Sequence, residues 1–466
     1  MAEKKTASEL SDALVYKSPN CFDGEGRAEL KKNASAYCED YKKFLDNGKT
    51  EREVVRETIP MLEKNGYHAY VIGDRIERGG KYYLNNRGKS LYIFRIGSEP
   101  VNNGIRIAAA HIDSPRVDFK PRPVYEDSEM CFFKTHYYGG IKKYQWTATP
   151  LSLHGVICRK DGDVNICVGE NDEEPCFYIN DLPPHLAQLQ YEKKVGGAID
   201  AEQLNILAGT EPFETDEKVS DPVKLNILSI LNEKYGCTER DLINSELCAV
   251  PATKARDIGF DRSLIGSYGH DDRVCAYPAV TAIIESSDSA HTLMTVLADK
   301  EEIGSDGVSG MQCHLLSDLI DEIALAFDGN PRVVRANSKC LSADVNVAYD
   351  PNFPEVFEKR NAAMLNHGVV LSKYTGSRGK SGTSDASAEF VSFVTKTFDD
   401  AGVLWQMAEL GKVDLGGGGT VAKFIANQNI DTVDLGVPVI SMHAPYEVVS
   451  KLDVYMTHKA ILAFYR

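Results

Sequence analysis

Apolar and polar positions follow two rhythms along this chain, and the changes of rhythm divide it. Between Gly26 and Asn65 apolar residues recur at helical spacing, with Leu30, Tyr37, Tyr41 and Leu45 seven, four and four apart. Thr50 followed three residues later by Glu53 is a capping box that predicts the start of a second helix, and Gly66 predicts its end. From Ala69 the pattern is strand-like, over Tyr70–Ile72, Lys81–Leu84, Leu91–Ile96 and Ile105–Ala110. Residues 119–251 carry β-like stretches at Thr135–Tyr138, Leu153–Ile157 and Val164–Val168, separated by charged loops and without α/β alternation. From Arg256 strands and helices alternate again. Leu293–Ala298 and Val437–Ser441 are apolar runs of the kind buried in a central sheet. Val274–Glu285, His314–Phe327, Ala386–Phe398 and Val421–Asn427 are the expected helical partners. The pattern predicts an α/β fold: a discontinuous domain of residues 1–118 and 252–466 around a central mixed sheet, with a mainly β domain inserted at 119–251.

Size and charge narrow the classes. A chain of 466 residues is too long for one ordinary core. Lys and Arg number 52 against 68 Asp and Glu, a net charge of -16, which argues against nucleic acid or an anionic membrane as partner. Met1 to Gly24 lacks an apolar signal-peptide core, and no run approaches the roughly 18 apolar residues of a membrane span. The eleven cysteines include no C-x-x-C pair and fit reduced core thiols. A cytoplasmic location is the expectation.

Five places then put metal-type ligands at an element end or turn. His111-Ile-Asp113 closes an apolar strand, and residues two apart share a face of an extended chain. Gly269-His270-Asp271-Asp272-Arg273 leads into a helix. Asp299-Lys300-Glu301-Glu302-Ile303-Gly304 follows Leu293–Ala298. Ser342-Ala343-Asp344 and Ser441-Met442-His443 complete the set. In open α/β sheets ligands collect beyond the carboxyl ends of the strands, and all five fit such an edge. Each piece has a plain alternative. Glu301-Glu302 alone reads as a solvated pair, Asp271-Asp272 as helix capping, and His443 as a structural histidine. Together the residue types suit two divalent ions, which need a bridging carboxylate and separate ligands. Imidazole and carboxylate suit zinc, with cobalt or manganese as borderline cases. In a Glu-Glu pair one carboxylate binds metal while its neighbour takes a proton from the activated water. Asp113 is placed to accept the other ring N–H of His111.

These stretches resemble the aspartyl aminopeptidase (aminopeptidase I) family of dinuclear zinc peptidases. The likeness lies in Ala110-His111-Ile-Asp113-Ser-Pro, His270-Asp271-Asp272-Arg, Asp299-Lys-Glu301-Glu302-Ile-Gly-Ser, Ser342-Ala-Asp344 and Ser441-Met-His443. It extends into the inserted segment at Leu182-Pro-Pro-His185-Leu-Ala. The resemblance implies a phosphorylase/hydrolase-like zinc exopeptidase fold carrying an inserted β-rich dimerisation domain. It also implies two Zn2+ per subunit, with Co2+ or Mn2+ possible at one site. His111 and Asp344 would complete one metal, Glu302 and His443 the other. Asp271 would bridge them, with Asp272 left open as the alternative, and the Asp271–Asp272 peptide bond would be cis, which is rare outside proline. Glu301 would be the general base and Asp113 the residue behind the first histidine.

The same resemblance implies an aminopeptidase acting on peptides, with a preference for N-terminal Asp or Glu. Arg378 and Lys380, in a Gly/Ser-rich loop, are candidates for a positive substrate pocket; an exposed loop is the alternative, and broad or apolar specificity stays open. Gly418, Gly419 and Thr420 are candidates to line the cleft. Their run lacks the Lys-Ser/Thr of a phosphate loop. By analogy, His185 would reach a neighbouring subunit's active site in a dimer-based homododecamer. The competing readings are another dinuclear zinc exopeptidase and a non-catalytic cargo-binding shell.

Overall fold

The computed structural model describes residues 6–466 apart from residues 25 and 287. Its frame is a nine-stranded mixed sheet. Four adjacent strands in its middle run parallel: Thr292–Ala298, Ile105–His111, Lys339–Ala343 and Asp431–Gly436. Ser90–Arg95 and Val369–Ser372 pack antiparallel on either side of this group. Every residue of Thr292–Ala298 is buried, as expected of a strand covered on both faces. Alternate side chains feed two cores. Ala108 and Ala110 face a core shared with the helices Arg27–Asn47, His270–Glu285 and Lys451–Tyr465, whereas Ile107 and Ala109 face one shared with Leu315–Leu325.

Residues 116–251 build a separate seven-stranded antiparallel sheet. Its core holds Val117, Trp146, Ile179, Ile206 and Ala249. The helix Pro222–Tyr235 lies against it through Val223, Ile227, Leu231 and Tyr235. That helix is absent from the sequence-based expectation, although those four residues are four apart. A third sheet of five short strands includes Leu264–Ser267, Pro438–Ile440 and Glu447–Ser450.

One expected strand is displaced. The paired strand residues are His68–Ala69, the Tyr70 N–H makes a last bond to the Tyr83 carbonyl, and a turn begins at Ile72. Asp74 accepts the Val71 N–H at 2.9 Å, and Gly73 takes a φ of +96°, which bends the chain and leaves Val71 and Ile72 exposed. The capping box forms as expected, with Thr50 and Glu53 exchanging side-chain-to-backbone hydrogen bonds.

The other oxygen of Glu53 enters a buried polar joint between its helix and the antiparallel sheet. His154 lies 2.8 Å from Glu53 Oε1 and 3.1 Å from Glu170 Oε1. Lys49 and Lys254 reach Glu170 at 2.8 and 2.9 Å. All eleven cysteines are free, and no helix among the described residues is long and apolar enough to cross a membrane.

Candidate active site

The parallel strands deliver their carboxyl ends to one edge. His111 is the last residue of its strand and pairs with Ala298, so the turn Glu301–Ile303 begins beside it. Asp344 follows Ala343 on the other side. Asp271 lies in the first turn of His270–Glu285, where the backbone breaks helical geometry and the Asp271–Asp272 bond is cis. His443 follows Pro438–Ile440 in a turn where Ser441 and His443 take φ values of +60° and +64°. Non-glycine residues seldom occupy that region.

Six side chains from five stretches of chain converge. Asp271 lies between two imidazoles, with Oδ1 3.1 Å from His111 Nε2 and Oδ2 3.1 Å from His443 Nε2. Asp344 Oδ1 is 3.6 Å from His111 Nε2, and Glu302 Oε1 is 3.4 Å from His443 Nε2. Glu301 Oε2 stands 3.9 Å from His111. His111, Asp271 and Asp344 form one group of donor atoms within 4.8 Å of one another, Asp271, Glu302 and His443 form a second, and His111, Glu301 and Glu302 have the same spacing. Asp271 belongs to the first two; Asp272 belongs to none. Asp271 Oδ1 and Glu302 Oε1 are buried and receive no hydrogen bond. Bare oxygens and ring nitrogens at this spacing are the donor set of zinc, so the residues fit the metal.

The surroundings orient these groups. His111 Nδ1 donates to the main-chain carbonyl of Asp113 at 3.0 Å, with the Asp113 carboxylate at 3.4 Å. The expectation that this carboxylate takes the ring N–H is therefore corrected toward the backbone oxygen. The Asp113 carboxylate instead accepts the backbone N–H groups of Glu301 and Glu302, at 3.1 and 3.2 Å, and the Tyr138 hydroxyl at 2.8 Å. His443 Nδ1 donates to the Gly140 carbonyl at 2.8 Å. Glu447 accepts two more backbone N–H groups, from Asp271 and His443. Tyr138, Gly140 and Glu447 escaped the sequence reading. Only Glu447 carries a usable signal, an acid opening the apolar strand Glu447–Ser450.

Electrostatics mark the cluster as short of positive charge. Burial lifts Glu301 to about 8 and pushes Glu302 well above the usual carboxylate range, with Asp271 adding to the second shift. Burial raises Asp344 as well. Burial alone would lower His443, but its hydrogen bond with Asp271 carries it to about 11. Glu301, Glu302 and Asp344 thus resist ionising, whereas Asp271, despite its burial, is held below the usual carboxylate range by hydrogen bonds with His111 and His443.

The cleft over these groups measures about 520 Å³ and is lined by Gly418, Gly419 and Thr420 together with Val345, Leu410, Phe424, Met442 and Lys423. Its glycine wall is locked to a second loop. The Gly418 N–H donates to the Thr375 carbonyl at 2.9 Å, and a Cβ on Gly417 would sit 2.5 Å from Ser377 Cα. Thr420 donates its hydroxyl to the buried Asp434 at 2.6 Å. Arg378 and Lys380 line an adjacent pocket behind that wall, not the cleft, and Lys380 pairs with Asp385 at 2.9 Å. His185 sits in the exposed turn Pro184–Leu186 and does not line its own chain's cleft.

Residues 44–465 match the model of the aminopeptidase I zinc metalloprotease family, M18. The chain belongs to the M18 family of zinc aminopeptidases. A probable M18 family aminopeptidase 1 of Clostridium acetobutylicum is 47% identical, with 98% of this chain and 99% of the relative aligned. The crystal structure of an M18 aminopeptidase from Thermotoga maritima superposes with a TM-score of 0.92 at 39% identity, covering 97% of this chain and 99% of the other. The S. cerevisiae mApe1 dodecamer shares the fold, with a TM-score of 0.75 at 24% identity over 94% of this chain and 97% of its own. Membership confirms the expected α/β fold with its central mixed sheet and the expected metallo-aminopeptidase activity.

Proposed function

We propose that this M18 aminopeptidase works with two zinc ions per subunit. The observation that carries this is the pair of donor groups sharing Asp271; Glu301, which also has ligand spacing with His111 and Glu302, stands 3.9 Å from His111 Nε2. His111 and Asp344 would hold one ion, Glu302 and His443 the other, and Asp271 both. Cobalt or manganese would serve at one site. When bound, the ions polarise the scissile carbonyl and lower the pKa of the attacking water. Glu301 takes a proton from that water and passes it to the leaving amine. Asp113 fixes both glutamates through their backbone N–H groups, so their carboxylates stay free to act. The strapped glycine wall, with Gly418, Gly419 and Thr420, holds the peptide backbone in the cleft.

For the first residue of the peptide, the cleft favours broad or apolar specificity. Val345, Leu410, Phe424 and Met442 line it, while Arg378 and Lys380 stand behind the wall. The acidic reading retains one observation, Lys423, the only Lys or Arg among the lining residues. Self-association through residues 119–251 is supported by a strongly apolar exposed stretch, Leu182, Leu186, Leu189, Tyr191 and Val195, around His185. In a homododecamer like the yeast one, that histidine would meet a neighbour's cleft. The reduced thiols and acidic surface fit a cytoplasmic enzyme.

Metal analysis with Leu-, Asp- and Glu-anilides and their N-blocked forms tests the reading. Two zinc per chain, hydrolysis of free but not blocked substrates, and Leu turned over at least as well as Asp are expected. A chain that holds one ion or none would overturn the two-metal assignment, and a strict requirement for Asp or Glu would restore the acidic reading.

A further inference from the structure

We propose that Glu447 is a positioning residue, which holds the shared carboxylate Asp271 and its partner His443 in ligating geometry before any cation arrives. The inference rests on the two-ion reading above. Glu447 offers one oxygen to each of these two donors. Oε2 accepts the Asp271 N–H at 3.1 Å, and Oε1 accepts the His443 N–H at 2.7 Å. Asp271 is the carboxylate shared by both donor groups, and His443 anchors the second. A single side chain therefore sets the spacing between two donors that come from distant parts of the chain.

Three features make this bracket rigid. Glu447 is 1% exposed, so water has little room to replace it. Its strand is paired on both sides, with Ser267 opposite Glu447 itself and Ile440 opposite Val448. The turn it closes contains the left-handed Ser441 and His443, and a non-glycine residue keeps that conformation only when its surroundings hold it. Glu447 points at backbone N–H groups and not at the imidazoles, so it acts through the ligands and is not one of them.

The fold supplies a matched control. Asp453 is also fully buried and also accepts two backbone N–H groups, from Asn366 at 2.7 Å and Gly368 at 2.8 Å, but neither belongs to a donor group. Glu447→Gln turns one acceptor into an NH2 group facing an N–H, and Asp453→Asn does the same elsewhere.

The test measures zinc affinity of the full chain by competition with a chromophoric chelator, alongside thermal melting of the metal-free protein. Glu447→Gln is expected to weaken zinc binding roughly 10- to 100-fold, while Asp453→Asn lowers only the melting temperature. If Glu447→Gln does not fold, Glu447→Asp carries the test, because it keeps the charge and shortens the reach. An affinity within threefold of wild type in the folded Glu447 variant overturns the proposal, as does equal weakening in Asp453→Asn. Wild-type protein that binds no zinc overturns the two-ion reading itself.

Discussion

Two buried clusters of histidine and carboxylate lie in this molecule, and they differ in charge balance more than in ingredients. Around His154, the carboxylates Glu53 and Glu170 meet an imidazole and two lysines, each within 3.1 Å of a partner. Burial would lower His154, but hydrogen bonds with Cys167, Glu170 and Glu53 raise it to about 11, and Glu170 is held below the usual range despite burial. That cluster is complete. In the other cluster, Asp271, Glu301, Glu302 and Asp344 face two histidines with no lysine or arginine in ion-pair contact among the described residues, and Asp271 Oδ1 and Glu302 Oε1 receive no hydrogen bond. The difference separates a structural joint from the proposed cation site, even though Glu53, His154 and Cys167 also have metal-ligand spacing.

The widest separation between the two clusters should come from Glu301→Gln. Turnover is expected to fall about a thousandfold with zinc content unchanged, measured by steady-state kinetics and metal analysis. Near-normal activity would remove Glu301 from the mechanism. Zinc itself comes next. Returning it to metal-free protein at about a thousand times its Kd should stabilise the fold by about 4 kcal/mol, and thermal melting reads the shift. The same shift should survive in His154→Ala, because the joint needs no ion.

His154→Ala should cost about 3 kcal/mol by removing the buried imidazole that pairs Glu53 with Glu170, read by denaturant unfolding, without altering zinc stoichiometry. The joint also predicts a pH signature. His154 has a raised pKa in the fold, so its contribution is complete below about pH 6.5. It shrinks as the pH climbs and vanishes above about 11. Glu170 has a lowered pKa, so its share is present above about pH 4.5 and is lost in acid. Unfolding measured from pH 4 to 11 should lose this dependence in the variant. The smallest effect is expected from Tyr138→Phe, which removes one of three hydrogen bonds to Asp113. A loss of about 1–2 kcal/mol in transition-state stabilisation would appear as a modest fall in kcat with KM unchanged.

The sequence exposes these two clusters unequally. His111, Asp271, Glu302, Asp344 and His443 were legible because each ends an apolar strand or opens a helix, where local pattern and chemistry coincide. The cis bond after Asp271 followed from family resemblance alone. Tyr138 and Asp434 were not legible, because their partners lie far along the chain and nothing local marks the meeting, and Glu447 offered only an acid at the start of an apolar strand. Arg378 and Lys380, read from the sequence as a positive pocket, line a pocket adjacent to the cleft and not the cleft itself, a placement no local pattern could show. Val71 and Ile72 looked like strand until Gly73 and Asp74 made a turn of them, and the helix Pro222–Tyr235 was passed over among β-like neighbours.

The strap between the Gly418 N–H and the Thr375 carbonyl, with Gly417 pressed on Ser377, has a consequence for redesign. A loop graft that put any larger residue at position 417 would press on the Ser377 backbone, so the two loops are best exchanged as one unit.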